Sequence, residues 1–275
     1  MELRQVWTIA GRELRESLHN RWLLIYAVGF TLLAFALSRA SLASAGYAGL
    51  GGFGRTAASL VNALLLFVPL LGLSVGAVAL AGDRERGTLL YLLAQPVSRA
   101  EVFLGKALGA GLAVALALLT GFGMAALALS MGGSGDPAAY LALVGFTVLL
   151  VLACLGLGFL IGAFTRKASA AMGAALLTWL GLAFLGDLGL VGATLALRPA
   201  PAALLGMLLA NPLQVFKLGA IYSLRSTLDT LGPTGQYAVY RFGLLLPLLL
   251  AGLLIAWIIL SFGFAYLFFN RRRDV

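Results

Sequence analysis

Uninterrupted apolar runs, several reaching about 20 residues, constrain this chain more than any other feature, because that is the helix length that crosses a ~30 Å hydrocarbon layer. Six such runs fall at Trp22–Leu37, Leu60–Ala81, Ala107–Met131, Tyr140–Phe164, Ala170–Gly186 and Phe242–Phe269. The last is long enough to tilt or to project past the bilayer. With 61% hydrophobic residues, 11% charged residues and a mean hydropathy of +1.02, the chain is far more apolar than a soluble core requires. The expected fold class is an all-α membrane protein with six transmembrane helices.

The net charge of +9 is therefore read as topology, and no nucleic-acid partner is expected. The first 21 residues, Arg84–Lys106, Arg166-Lys167 and Arg271–Arg273 together hold thirteen of the 19 basic residues. Alternation of the runs puts all thirteen on the side of the N-terminus, so the positive-inside rule predicts that both termini are cytoplasmic. Before the first run, Leu3, Val6, Trp7, Ala10, Leu14 and Leu18 recur at helical spacing, while Arg12 and Glu13 fall on the remaining surface. This pattern predicts an amphipathic elbow helix over residues 1–21, lying on the membrane and leading into the first run at Trp22. Residues 22–275 then form a single six-helix domain.

Residues 83–101 are the most informative segment. Asp83, Arg84, Glu85 and Arg86 end the second run with charges of both signs, and Gly87 breaks the helix. Thr88 can cap a short new helix, Leu89–Ala94, rich in leucine and bounded by Pro96. Ser98 and Glu101 form an S-x-x-E capping box that opens the next helix. The prediction is a short apolar helix at the cytoplasmic surface, serving either as an interfacial turn or as a coupling helix that docks into a soluble subunit.

Asp83–Leu89 (DRERGTL), Leu92–Arg99 (LLAQPVSR) and Gly105-Lys106 resemble the signature of ABC-2 type transporter permeases. The chain departs from that pattern in having Asp83 where the family often has Glu, and Leu90 where an acid often follows the Leu. Val6–Trp22, Phe53–Pro69, Phe164–Gly173, Asn211–Ile221 and Leu231–Ala238 resemble more narrowly the permeases of Nos transporters, which serve maturation of nitrous-oxide reductase, a periplasmic copper enzyme. The resemblance implies a homodimer in the bacterial inner membrane, two copies of an ABC ATPase that bind ATP and Mg, and a periplasmic NosD-like protein. It assigns the ATPase contact to Asp83, Glu85, Gly87, Thr88, Leu89, Leu92, Leu93 and Pro96, with elbow residues Arg12, Glu13 and Trp22 nearby.

The cargo implied is copper or a sulfur species. A Cu(I) path favours Met, Cys or His ligands that face one another. His19, Cys154, Met124, Met131, Met172 and Met207 show no ligand spacing, so no metal site is expected in this chain. Residues 187–241 form a long periplasmic segment. Within it Ala202–Leu209 is too short to span, and Asn211 caps a helix with Pro212 at its first position. Leu213, Phe216, Ala220 and Leu224 line one face of that helix. Either it lies on the bilayer, or it offers Phe216, Lys217, Leu224 and Arg225 to a periplasmic partner.

Three GxxxG pairs, Gly72/Gly76, Gly105/Gly109 and Gly158/Gly162, permit close helix approach. One histidine cannot furnish an H-E-x-x-H metalloprotease site, Ser74 has no His in a span to activate it, and Gly105-Lys106 lacks the rest of a P-loop. A non-catalytic membrane subunit is the expectation. The alternatives are an ABC-2 exporter permease for an unrelated substrate and a stand-alone secondary transporter.

Overall fold

The computed structural model describes residues 2–45, 50–130, 137–197, 200–223 and 232–271, all helix or short connection. In chain order the helices are α1 (Leu3–Leu18), α2 (Arg21–Ala45), α3 (Leu50–Glu85), α4 (Thr88–Leu93), α5 (Arg99–Ser130), α6 (Pro137–Phe164), α7 (Ala168–Leu197), α8 (Pro201–Leu209), α9 (Pro212–Ser223), α10 (Gly232–Phe242) and α11 (Leu246–Arg271). Five apolar helical stretches among the described residues are long enough to cross a bilayer, at Val61–Glu85, Arg99–Leu127, Pro137–Phe164, Ala168–Ala196 and Gly235–Arg271. Counting α8 and α9 as one broken span makes six. The expected first span, Trp22–Leu37, lies in α2, which contributes the shorter apolar stretch Leu23–Leu32.

α6 is the central rod. It packs against α3 on one side and α11 on another, burying residues from Leu143 to Ala163. The α3–α6 contact depends on missing side chains. A Cβ on Gly158 would lie 2.5 Å from the Leu73 carbonyl, one on Gly162 2.6 Å from Ala77 O, and one on Gly72 2.6 Å from Val151 O. The two GxxxG pairs therefore face each other and let the backbones touch, which replaces the hydrophobic drive that lipid cannot supply. Aromatic rings add a second lock. Phe103 of α5 sits 5.7 Å from Phe159 of α6 and 5.7 Å from Phe269 of α11.

Leu177, Leu185 and Leu195 on α7 and Leu248 and Ile259 on α11 are exposed. Large exposed apolar faces fit a lipid solvent and not water.

The segment after α7 differs from expectation. α8 and α9 meet at 108°. Asn211 caps α9 as expected, its Oδ1 accepting the Leu213 N–H at 2.9 Å. However, α9 does not lie on the bilayer. Leu213, Phe216 and Ala220 are buried, and the helix packs against α3, α6 and α11. Gly186 and Gly219 make room for it: a Cβ on Gly186 would meet Gln214 Nε2 at 2.7 Å, and one on Gly219 would meet the Phe146 ring at 2.8 Å. Gly232-Pro233 opens a further helix, α10, and Gly243 (φ +50°) makes the turn into α11.

Candidate functional site

The charges that close α3 each have a separate partner. Arg84 donates to the Gly162 carbonyl at 3.1 Å and to the Thr165 carbonyl, at the C-terminal end of α6. Glu85 Oε2 accepts the Ala168 N–H at 2.8 Å, at the first turn of α7. A cation on the negative end of one helix and an anion on the positive end of the next both favour the macrodipoles. Thus α3 fixes the corner between α6 and α7.

Asp83 turns the other way, into the bundle. Its Oδ2 lies 2.7 Å from Lys106 Nζ on α5, and its Oδ1 accepts from Arg86 Nη2 at 2.8 Å. Lys106 also pairs with Glu13 of α1, and Arg86 reaches Glu16 of α1 at 3.1 Å. The Lys106 side chain is 2% exposed. Asp83 and Glu13 are buried with Lys106, and Arg86 links Asp83 to the exposed Glu16, so three acids share two cations. Burial raises the Glu13 carboxyl above its ordinary range, and the Lys106 ammonium pulls it back only in part. Pairing with Asp83 raises the Arg86 guanidinium.

This cluster ties three helices together, and it corrects the reading of α1. Glu13 is buried on the inner stripe Val6, Ala10, Glu13 and Ser17, whereas Leu3 and Trp7 of the expected apolar face are exposed. The cause is α5. A Cβ on Gly105 would lie 2.7 Å from Ile9 Cβ, and one on Gly109 2.6 Å from Glu13 Cβ, so the two glycines form a groove that α1 fills. The Glu101 carboxylate adds a tie, accepting the Glu2 N–H at 2.6 Å and the Ser98 N–H at 2.8 Å. The Glu101 N–H donates in turn to Ser98 Oγ at 3.3 Å, which completes the expected capping box. Arg12 is exposed, and Trp22 opens α2 one residue after its start.

Gly87 breaks the helix as expected, with φ +73°. Thr88 does not cap α4. It is the first residue of the helix, and its hydroxyl donates back to the Asp83 carbonyl at 3.2 Å. Leu89 (0% exposed) and Leu92 are buried in the protein's own core, so neither is free to fill a groove in a partner. The outward face of α4 is Leu90 (54%) and Tyr91 (69%), which sequence reasoning did not single out. Leu93 lies in the last turn of α4, and Pro96 is exposed just after it.

At the other candidate surface, Phe216 is fully buried and cannot meet a docking protein. Lys217 is half-buried and pairs with Asp187 at 3.0 Å, where Gln214 Nε2 also donates at 2.9 Å. Leu224 and Arg225 lie outside the described residues. The ion cluster did leave a trace in the sequence. Lys106 is the single charged residue between Glu101 and Asp136, and a lone ammonium in such a run needs buried acids.

A family model for the "ABC-2 family transporter protein" matches residues 7–274, nearly the whole chain. The chain belongs to the ABC-2 transporter family. It is 34% identical over 281 residues to "Probable ABC transporter permease protein NosY" of Stutzerimonas stutzeri, covering 98% of this chain and 99% of that one. It is 38% identical over 221 residues to the protein of the same description from Pseudomonas aeruginosa, covering 78% and 80%. As an ABC-2 permease it is an integral membrane protein, NosY-like, of a family whose members work with an ATPase.

Proposed function

We propose that this permease converts ATP-driven movement of a separate ABC ATPase into movement across the inner membrane, in the service of copper-site assembly in nitrous-oxide reductase. The carrying observation is the build of α4, a short helix bounded by Gly87 and Pro96. It exposes Leu90 and Tyr91 outward while Leu89 and Leu92 are buried in its own core. Such a piece is rigid towards the bundle and apolar towards the cytoplasm, as a coupling element must be. Asp83, four residues before Gly87's helix break closes, is held to Lys106 and through it to Glu13. A push on α4 therefore reaches α3, α5 and α1 together.

In this reading the chain is a homodimer with both termini cytoplasmic, and two ATPase subunits bind ATP and Mg beneath it. A periplasmic NosD-like protein receives the movement on the opposite face. The NosY likeness supports the nitrous-oxide reductase role. Force transmission, or passage of a sulfur species, fits the chain better than passage of copper. Cys154 is buried at the α3–α6 contact, while Met124 and Met207 face outward from other helices.

Purification of the tagged complex from native membranes in mild detergent, followed by mass spectrometry, tests the reading. Recovery of an ABC ATPase with a periplasmic Nos-type protein is the expected result. An ATPase alone would remove the copper-enzyme role, and recovery of neither would remove the coupling role. Within that complex, Leu90→Ala with Tyr91→Ala should release the ATPase while the permease stays folded.

A further inference from the structure

A cleft of about 1040 Å³ runs between α1 and α3. Its two walls differ in chemistry. On α1 the lining includes Thr8, Arg12, Arg15 and His19, whose spacings of four, three and four place them on one helix face. On α3 the lining is Val75, Val78 and Ala79, half-buried and apolar. These residues sit about two to three helical turns inward of Arg86, within the membrane-spanning stretch Val61–Glu85.

The charges in the cleft do not cancel. Glu13 is taken by Lys106, and Glu16 by Arg86. Arg12 and Arg15 remain, both exposed, and among the described residues neither guanidinium makes an ion pair. One helical turn apart, they can address the oxygens of a single phosphate from two sides. Trp7 stands in the same cleft, 60% exposed, an amphipathic ring of the kind that settles at headgroup depth.

Two unpaired guanidiniums beside an apolar wall that continues into the bilayer fit one chemical class. We propose that the α1–α3 cleft binds an anionic phospholipid, with the phosphate on Arg12 and Arg15 and an acyl chain along Val75, Val78 and Ala79. An acidic peptide from the aqueous phase would satisfy the arginines but leave that wall uncovered. A zwitterionic lipid would cover the wall but bring its own cation to the arginines. The bound lipid braces α1 against α3 beside the Asp83–Lys106–Glu13 cluster, whose Glu13 also lines the cleft, so the elbow helix is held to α3 as well as to α5.

The full-length chain is reconstituted in nanodiscs of phosphatidylcholine with phosphatidylglycerol as the minor component, then released into mild detergent for native mass spectrometry. Wild type should retain phosphatidylglycerol in preference to phosphatidylcholine. Each basic residue near an anionic surface contributes about a fivefold preference, so R12Q with R15Q should lower the relative retention roughly 25-fold. R12K with R15K, which preserves the charge, should keep most of it. Val78→Trp fills the apolar wall without touching the arginines, and it should displace the lipid as well. The proposal is overturned if wild type shows no preference for phosphatidylglycerol, or if either the glutamine pair or Val78→Trp retains it at the wild-type level. A cysteine at Arg12 that cross-links efficiently to a second copy of the chain would give the cleft to a protein contact and equally overturn it.

Discussion

Lys106→Met removes the one cation that Glu13 and Asp83 share inside the bundle. Breaking a buried ion pair by deleting one partner typically costs about 3–5 kcal/mol, because the other charge stays buried without compensation. Here the cost should sit near the lower end, about 3 kcal/mol, since Asp83 keeps Arg86 and only Glu13 is stranded. That loss falls on the docking of α1. Its opening equilibrium should rise on the order of a hundredfold. A cysteine at Val6, which is buried against α5, reports the opening through its rate of thiol labelling in a Cys154→Ala background. The sign of the pH dependence follows from Glu13. Its folded carboxyl already lies above the ordinary value, and losing Lys106 raises it further. The docked state then holds a proton that the undocked state releases, so docking weakens as pH rises through that window. Labelling of the K106M protein, divided at each pH by the rate of the same cysteine in the denatured chain to remove the rise in thiolate, should accordingly accelerate from mildly acidic to alkaline pH. The all-neutral variant E13Q/D83N/K106M should recover much of the docking, because the largely exposed Arg86 is solvated without Asp83. Labelling of K106M at the wild-type rate, or of the triple variant as fast as K106M, would refute the assignment of this cluster as the tie between α1 and the bundle.

The two faces of α4 should separate cleanly. Leu89→Ala empties a fully buried site and should cost about 2–5 kcal/mol of stability, read as a lower thermal midpoint in detergent, whereas Leu90→Ala should leave the midpoint unchanged. Gly158→Ala forces a Cβ against the Leu73 carbonyl, so overpacking of about 1–3 kcal/mol is expected in the same assay. Gly123→Ala, with nothing within 4 Å, is the matched control and should be neutral or slightly stabilising. Replacing Met124, Met131, Met172, Met207 and Cys154 together with packing-compatible residues should leave nitrous-oxide reductase maturation intact in cells. Failure of copper delivery at normal permease levels would contradict the force-transmission reading.

The sequence by itself determined the apolar rods and several of their ends. Gly87 and the Ser98–Glu101 box are local devices, decided by backbone sterics and by hydrogen bonds three residues apart, so they were legible without a fold. Asn211-Pro212 worked for the same reason. The pairing of helices was not legible. All three GxxxG pairs looked alike in the chain, and only the tertiary structure set Gly72/Gly76 against Gly158/Gly162 and Gly105/Gly109 against α1. The direction in which each side chain points was also left open. In a chain this apolar the period of hydrophobic residues does not distinguish a face that meets lipid from one that meets protein, because both environments accept leucine. Hence Leu89 and Phe216 turned inward while Leu90, Tyr91 and Trp7 turned out. Glu13 and Lys106 stand 93 residues apart and read separately as a surface acid and a topology marker. Their meeting with Asp83 depends on the depth at which α1 settles into the Gly105/Gly109 groove, and that depth is a property of the packed bundle alone.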